Sequence, residues 1–331
     1  MKNKNLYTVY IAACLLLSAL FFSFQTKLVK KPQKKPNILF AIADDQSFPH
    51  AGAYGSKLFQ TPAFDQVASE GVLFMNAFVV APQCSPSRAA LLTGRNIWQL
   101  EEAGTHSSYF PKKFPVFTDA LENVGYFRGY TGKPWGPGNW KDSGWKQNPV
   151  GPEYNKINRK VPTTGIHKTD YVANFKAFLA EKPADQPFFF WFGSFEPHRE
   201  YEYGTGKNHG LSEKDLKLPA FLPNNDTIRQ DFMDYALEIG WFDQQLAMML
   251  QILKDAGEYE NTIIVVTADN GMPFPYAKAN LQEFGTHVPL AISGPGIKGK
   301  RVSNDLISMV DLTPTFLELG GAPKYNGLIG K

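Results

Sequence analysis

Three uninterrupted apolar runs constrain this chain more than any other feature of its sequence. Residues 38–42 (ILFAI), 188–192 (FFFWF) and 263–266 (IIVV) are apolar at every position rather than at every second one. A strand of this kind is covered on both faces, as the central strands of a parallel sheet are. Segments with helical character lie between the runs, at residues 64–70 and 227–256. This alternation predicts an α/β domain with a mostly parallel sheet covered by helices on both faces.

Two segments lack this regularity and are rich in Gly, Pro and aromatic residues. They comprise residues 132–167 and 201–223. We expect both to be long surface loops, which in α/β enzymes commonly shape the substrate pocket.

Polar residues follow the predicted strands at the points where the apolar runs end. These residues are Asp44, Asp45, Lys133, Glu196, His198, Asp269 and Asn270. Because the carboxyl ends of parallel strands share one edge of a sheet, we expect these side chains to converge there. The three aspartates and the asparagine offer only oxygen ligands, which suit Ca²⁺ or Mg²⁺ better than zinc. Turn formation or helix capping is the alternative for either pair alone.

Cys84 opens the segment CSPSRAALLTGR, residues 84–95. Ser85 is a suitable helix cap and Pro86 a favoured first helical residue, which would place Cys84 just before a helix. Free backbone N–H groups there attract anions, and Arg88 adds a positive charge one turn later. A cysteine in that position is expected to be reactive. A small buried hydrophobe and the nucleophile of a cysteine protease are the alternatives.

These residues together resemble the formylglycine-dependent sulfatases of the alkaline phosphatase-like superfamily. The resemblance lies in CSPSR at 84–88 and LTGR at 92–95, and it extends from PNIL at 36–39 through TADNG at 267–271 to DLTPT at 311–315. The heparan N-sulfatase, or sulfamidase, branch is the most similar. That similarity rests on GYTGK at 129–133, WGPG at 135–138, EPHR at 196–199 and PFP at 273–275.

The resemblance implies an alkaline phosphatase-like sandwich in which a maturation enzyme oxidises Cys84 to formylglycine. One hydroxyl of the hydrated aldehyde would attack sulfur, and the second would expel sulfate as the aldehyde reforms. The family pattern also implies one Ca²⁺ per chain beside the nucleophile, where a cation polarises the sulfate. Its ligands would be Asp44, Asp45, Asp269, Asn270 and the modified Cys84.

The same resemblance assigns roles to four further side chains. Arg88 would support the diol, and Lys133 and Lys278 would hold sulfate oxygens. His198 would protonate the leaving oxygen or nitrogen as a general acid. A solvated lysine or a capping histidine is the plain alternative for each. The remaining histidines are expected to be ordinary loop or surface residues, with His287 as a rim contact.

The sequence departs from the family pattern in two places. Many members have a histidine two residues after the lysine that matches Lys133, where this chain has Trp135. Either His198 does the acid work alone, or the indole stacks on a sugar face. Relatives also continue into a small C-terminal subdomain. We therefore expect residues 37–331 to be a C-terminally truncated catalytic domain.

The N-terminal residues have the layout of an export signal. Lys2 and Lys4 precede an uncharged run of 19 residues, 6–24, and a lysine-rich stretch follows it. We expect residues 1–26 to be a signal peptide or membrane anchor and residues 27–36 a basic linker. The protein is then exported, periplasmic or extracellular, and anchored if the run is not cleaved. Cys14 lies in this leader, so a disulfide with Cys84 is not expected.

Charge argues against a nucleic-acid ligand. Seven of the 34 basic residues lie in the first 36 positions, which leaves 27 against 31 acidic residues and a net charge of about −4 in the rest. Binding to nucleic acid needs a field of Lys and Arg, so none is expected here. An anionic ligand must therefore meet a local positive site.

The leading hypothesis is a hydrolase of sulfuric esters or sulfamates that acts on a sulfated glycan, with N-sulfoglucosamine of heparan-type chains as substrate. An O-sulfatase on another sulfated sugar is one alternative, and a phosphodiesterase or phosphonate hydrolase of the same superfamily is another. The non-enzymatic alternative is an inactive fragment that only binds glycan. The sequence makes no prediction about oligomeric state.

Overall fold

The computed structural model describes residues 34–331. Most of the predicted leader and linker, residues 1–33, lies outside the described residues. Residues Lys35–Lys331 form one compact unit. Within the described part, no helix combines the length and the apolar character needed to span a bilayer.

The centre of the fold is a seven-stranded sheet in the order β3-β4-β1-β5-β6-β2-β7. The strands are β1 (Asn37–Ala43), β2 (Val72–Phe78), β3 (Phe127–Gly132), β4 (Phe188–Gly193), β5 (Thr262–Ala268), β6 (His287–Ser293) and β7 (Arg301–Ser308). Only β6 runs antiparallel to its neighbours, and the other pairings are parallel. The prediction of a mostly parallel sheet is confirmed.

The three apolar runs form the adjacent strands β4, β1 and β5, in which every residue is buried. Successive side chains of a strand point to opposite faces, so a fully apolar strand must contact a helix on each face. Phe189 packs edge-on against Phe117, with ring centroids 5.2 Å apart, whereas Phe190 packs against Phe175 at 4.7 Å. Those two partners belong to different helices.

Eight α-helices lie in the described part of the chain: α1 (Pro62–Glu70), α2 (Cys84–Thr93), α3 (Phe117–Asn123), α4 (Tyr171–Glu181), α5 (Thr205–Asn208), α6 (Asp226–Asp255), α7 (Glu283–Thr286) and α8 (Leu312–Gly320). One helical layer contains α1, α4 and α6, and the other contains α2, α3 and α8. The predicted covering of both faces is therefore confirmed.

The two predicted loops are mostly irregular in the structure. Residues 132–167 contain one 3₁₀ turn, and residues 201–223 contain α5 and a second short turn. A smaller apolar cluster lies beneath the second loop, built around Phe232, Tyr235 and Phe274. This cluster fixes the loop that follows β5 against the long helix α6.

Candidate active site

The site lies where the carboxyl ends of β1, β3, β4 and β5 meet the start of α2. Backbone bonds continue beyond the strand ends, from Asp44 N to Glu196 O at 3.0 Å and from Asp269 N to Ala43 O at 3.1 Å. Lys133 N donates to Gly193 O at 2.7 Å in the same way. Because the backbone is fixed just where the polar residues begin, their side chains are held in defined positions.

Four buried side chains form an acidic cluster at this edge. Ligand atoms of Asp44, Asp45, Cys84 and Asp269 all lie within 4.8 Å of one another. Cys84 Sγ is 3.2 Å from Asp44 Oδ1 and 3.8 Å from Asp45 Oδ1. Asp45 has a φ of 77°, a strained value for a residue with a side chain, and its N–H donates to Asp269 Oδ1 at 3.1 Å. The structure thus brings together the residues that the strand ends predicted.

Asn270 completes the cluster. Its Nδ2 donates to Asp45 Oδ1 at 2.7 Å and to Gly271 O at 2.9 Å. Its Oδ1 is buried and has no hydrogen-bond partner among the described residues. A buried oxygen of this kind is costly unless a donor or a cation meets it. An unpaired amide oxygen among carboxylates fits a hard divalent cation such as Ca²⁺.

Arg88 is fully buried and connects the cluster to the neighbouring loop. Its Nε donates to Asp269 Oδ2 at 2.7 Å. Its Nη1 donates to the carbonyl oxygens of Lys133 at 2.7 Å and Pro134 at 2.9 Å. Nη2 has no hydrogen-bond partner in the described part and lies 4.0 Å from Asp44 Oδ1. One nitrogen is thus left to face the nucleophile position.

Two lysines bring further positive charge to the carboxylates. Lys133 Nζ forms a short ion pair with Asp44 Oδ2, and Lys278 Nζ lies 2.6 Å from Asp45 Oδ2. Both lysines were predicted to hold sulfate oxygens. They lie where a ligand placed beside Cys84 would meet two cations.

His198 lies at the open side of the cluster. Its Nε2 is 3.8 Å from Asp45 Oδ2, and its Nδ1 is 2.6 Å from the carbonyl oxygen of Arg199. A carbonyl only accepts, so Nδ1 must donate the proton of that bond. Nε2 is therefore the atom that can gain and lose a proton towards the site.

Burial and charge set the protonation of the cluster. Burial alone raises the pKa of Asp44, but Lys133 and Arg88 outweigh it and hold that pKa well below its usual range. Burial and the charge of Asp44 raise the pKa of Asp45. Burial also raises the pKa of Asp269 to about 6, against the opposing charge of Arg88. The carboxylates thus repel one another when they are ionised, and a bound cation would reduce that repulsion.

Burial, together with the charges of Asp44 and Asp269, raises the pKa of the Cys84 thiol well above its ordinary value. A raised pKa disfavours the thiolate, which is the strong nucleophile, so the surroundings of the unmodified thiol do not add to its reactivity. The predicted cap is wrong. Helix α2 begins at Cys84 with Gln83 as N-cap, and the Ser85 hydroxyl contacts residues outside the helix.

Trp135 is not available to a sugar. Its side chain is only 2% exposed, its Nε1 donates to Ser85 O at 3.1 Å, and its ring packs edge-on against Phe110 at 5.0 Å. The alternative in which this indole stacks on the substrate is wrong. The ring acts as packing beneath the site.

A cavity of about 720 Å³ opens over Asp44, within the size range of ligand pockets. Its lining includes Asp44, Lys133 and His198, together with His106, Trp140, Lys141, Glu153, His167 and Arg199. The sequence analysis missed His106 and His167, since both belong to loops without a pattern. The prediction of His287 as a rim contact is wrong, because its ring is buried between the rings of Phe48 and Phe78.

Glu196 follows β4 as predicted but faces away from the acidic cluster. It is buried, and it accepts hydrogen bonds from Tyr171 Oη at 2.8 Å and from His167 N at 2.8 Å. Ser194 Oγ is a third partner. Its role is to hold the wall of the cavity rather than to bind a cation.

A buried set of oxygen ligands, flanked by an arginine and two lysines at a sheet edge, is typical of hydrolases that act on tetrahedral anions. A sequence model named Sulfatase matches residues 36–322, and the chain belongs to the sulfatase family. The leading resemblance and the predicted fold are thereby confirmed.

Individual relatives agree with this assignment. The human N-sulphoglucosamine sulphohydrolase is 32% identical over 325 residues, which cover 87% of this chain and 61% of that protein. An ulvan-active sulfatase of Formosa agariphila is 30% identical over 304 residues, which cover 87% of this chain and 55% of that protein. The chain thus spans 55–61% of the length of these two curated relatives.

One solved structure, a complex with its substrate D-glucosamine-2-N,6-O-disulfate, superposes with a TM-score of 0.70 at 22% sequence identity. The match covers 90% of this chain and 79% of the other. This similarity supports the fold.

Proposed function

We propose that this protein hydrolyses a sulfated glycan and that N-sulfoglucosamine of heparan-type chains is its substrate. The observation that carries the proposal is the position of Cys84, with Sγ 3.2 Å from Asp44 Oδ1 and with Arg88, Lys133 and Lys278 around the same carboxylates. The similarity to the human N-sulphoglucosamine sulphohydrolase supports the choice of substrate.

The described residues fit the two groups that the family pattern implies. Asp44, Asp45, Asp269, Asn270 and the modified Cys84 would hold one Ca²⁺, which when bound polarises the sulfo group. Formylglycine at position 84 would supply a hydrated aldehyde as the nucleophile. The donor set and the unpaired Asn270 Oδ1 support this fit.

The chain's own residues would then bind and orient the substrate. Lys133 and Lys278 bind sulfo oxygens and stabilise the charge that develops on them. Arg88 turns its free Nη2 towards the nucleophile and keeps the loop at Lys133 in place. Their charges lie in a largely buried site, where electrostatic interactions are stronger than in water.

His198 is the general acid in this proposal. Its Nδ1–H is held by the carbonyl oxygen of Arg199, so the mobile proton is carried on Nε2. As the bond from sulfur to the leaving nitrogen breaks, that nitrogen takes the electron pair and receives the proton from Nε2. The amine then leaves as a neutral product, and His198 is left without its proton on Nε2.

We also propose that the protein is exported and that its partners are a sulfated glycan and a formylglycine-generating enzyme. The lysines and the uncharged run of residues 1–26 support export. The burial of Cys84 and the sequence CSPSR around it support a dedicated maturation partner.

The test is a side-by-side assay on protein produced with a maturation enzyme. The peptide that contains Cys84 is first weighed by mass spectrometry to establish conversion. Glucosamine N-sulfate, glucosamine 6-sulfate, a sulfated ulvan oligosaccharide and an aryl phosphonate monoester are then compared at equal concentration. We expect the N-sulfate to have the highest kcat/KM.

Two other outcomes would favour the alternatives. Preference for an O-sulfate or for the phosphonate would move the substrate assignment to that class. Converted, Ca²⁺-loaded protein that retains glycan but releases no sulfate would refute the enzyme and favour a binding protein.

A further inference from the structure

Ser85 makes an unusual set of contacts for the second residue of a helix. Its side chain is fully buried, and its Oγ accepts a hydrogen bond from Ser107 N at 3.1 Å. The same Oγ lies 3.2 Å from His106 Nδ1. Ser107 has a φ of 53°, so this contact holds a turn that a serine does not adopt readily. Ser85 therefore fixes the segment that carries His106.

These contacts define the tautomer of His106. A buried hydroxyl proton needs an acceptor, and Ser107 N offers none because it is itself a donor. The described partner that can accept is His106 Nδ1. The Ser85 hydroxyl then donates to Nδ1, and the proton of the neutral imidazole is on Nε2.

The imidazole of His106 borders the reacting end of the cavity. It lines the cavity together with Asp44, Lys133 and His198. His106 is exposed on its outer side. Partial burial of the ring and the charges of Lys278, Lys133 and His198 lower its pKa, against the opposing charge of Asp45. A neutral ring among these groups is a hydrogen-bond donor rather than an acid.

Trp135 makes a second contact to Ser85. It occupies the position at which many relatives have a histidine, and its Nε1 donates to the carbonyl oxygen of Ser85. Ser85 thus contacts the tryptophan through its backbone and His106 through its side chain. Trp135 and His106 are therefore both held by the same serine.

We propose that His106 binds the substrate and that Ser85 is its positioning residue. Nε2–H of His106 donates a hydrogen bond to an oxygen of the sulfo group or of a sugar hydroxyl next to it. This inference rests on the proposed function, because it assigns a contact of the same site. His106 fixes the substrate, and His198 remains the acid.

The test compares His106→Ala, His106→Gln and the control His209→Ala. His209 is exposed, and its Nδ1 lies 2.8 Å from the carbonyl oxygen of Thr205. It is therefore a histidine that does not line the cavity, and its replacement controls for the loss of an imidazole elsewhere. We measure kcat, KM and the pH profile with glucosamine N-sulfate, together with the thermal midpoint. A lost hydrogen bond should raise KM about tenfold in His106→Ala and leave the pH profile unchanged.

Glutamine can place an amide N–H near the position of Nε2, so His106→Gln should recover KM to within about threefold of the wild type. His209→Ala should equal the wild type. Agreement of His106→Ala with the wild type within about twofold would overturn the inference. A changed acidic limb of the pH profile would overturn it in favour of an acid role.

A structural role gives a different result. Equal loss in the alanine and glutamine variants, with a lowered thermal midpoint in both, would assign His106 to the cavity wall and overturn the inference. Wild-type protein with converted Cys84 that releases no sulfate from any sugar would refute the proposed function and this inference with it. Wild-type turnover that His106→Ala retains would refute this inference alone.

Discussion

Arg88 Nε lies 2.7 Å from Asp269 Oδ2, and both side chains are buried beyond the reach of water. The bond joins α2, which begins at Cys84, to the residues that follow β5, Asp269 and Asn270. The same guanidinium also holds the carbonyl oxygens of Lys133 and Pro134. Three segments of the site therefore depend on one side chain.

Replacing Arg88 with leucine should destabilise the fold strongly. The change leaves Asp269 buried without its cation, and breaking a buried pair in this way costs about 3–5 kcal/mol. Urea unfolding followed by circular dichroism measures the free energy of unfolding. Arg229→Leu is the control, since its pair with Glu213 is partly exposed and contributes at most about 1 kcal/mol. Equal effects of the two substitutions would contradict this prediction.

Replacing Asn270 with alanine should weaken Ca²⁺ binding. The substitution removes the buried Oδ1 that has no protein partner and also releases Asp45 Oδ1. We expect the dissociation constant for Ca²⁺ to rise at least about 100-fold, because even residues that only support metal ligands contribute about 10- to 100-fold. Titration calorimetry with CaCl₂ measures it, and Asn76→Ala in β2, where the side chain bonds Asn304 O, is the control. An unchanged constant would show that Asn270 is not a ligand.

Lys278→Met should reduce turnover more than binding. The lysine brings a positive charge within 2.6 Å of Asp45 Oδ2, and in the proposed mechanism it stabilises the charge that develops on the sulfo group. Loss of one such donor costs about 10²–10³ in kcat. Steady-state kinetics on glucosamine N-sulfate should show this loss, while Lys57→Met, in a different cavity, leaves kcat unchanged. A change in KM alone would assign Lys278 to ground-state binding.

Glu238→Gln should remove part of the pH dependence of stability. Burial, with the charges of Glu196 and Asp234, raises the pKa of Glu238 from 4.5 to about 9, and Oε2 has no hydrogen-bond partner among the described residues. The folded state therefore binds this proton more tightly than the unfolded state does. The stability that results is complete below pH 4.5 and is lost as the pH rises towards 9.

Glutamine stays neutral throughout that range. We therefore expect the variant to be more stable than the wild type near pH 8.5, by up to about 5 kcal/mol, and equal to it near pH 4.5. Urea unfolding at both pH values tests this, with the exposed Glu260→Gln as control. A variant less stable than the wild type at pH 8.5 would show that Glu238 is charged and paired in the folded protein.

Trp135→Phe should affect stability and leave substrate affinity unchanged. The substitution removes the bond from Nε1 to Ser85 O and keeps an aromatic ring beneath the site. The loss of one buried hydrogen bond is expected to cost about 1 kcal/mol. Thermal unfolding and KM are measured on the same preparation. A tenfold rise in KM at unchanged stability would instead indicate that the indole touches the sugar.

The sheet and its acidic edge could be predicted because their determinants are local. Phe189 and Phe190 contact different helices, so a strand between two layers must be apolar throughout, and the sequence records this directly. The residues after such strands must lie at one edge. The positions of Asp44, Asp45, Asp269 and Asn270 could therefore be predicted from the direction of two strands, β1 and β5.

The features that the sequence did not reveal depend on contacts between distant loops. Ser85 is a residue type that commonly caps helices, but its hydroxyl oxygen accepts a hydrogen bond from Ser107 N, 22 positions away. His106 acquires its environment only through that contact. Lys278 reaches Asp45 across 233 positions, and only the family resemblance pointed to it. No periodicity encodes such pairings.

The burial of α2 bears on whether Cys84 could be oxidised before or after the chain folds. Every residue from Cys84 to Thr93 is buried. An enzyme that oxidises Cys84 must take hold of the segment around it, and the folded chain exposes such a core element only by opening nearly completely. The proposed maturation would therefore act on the nascent or translocating chain. A molecule that folded with a thiol at position 84 would then keep it for as long as the fold lasts.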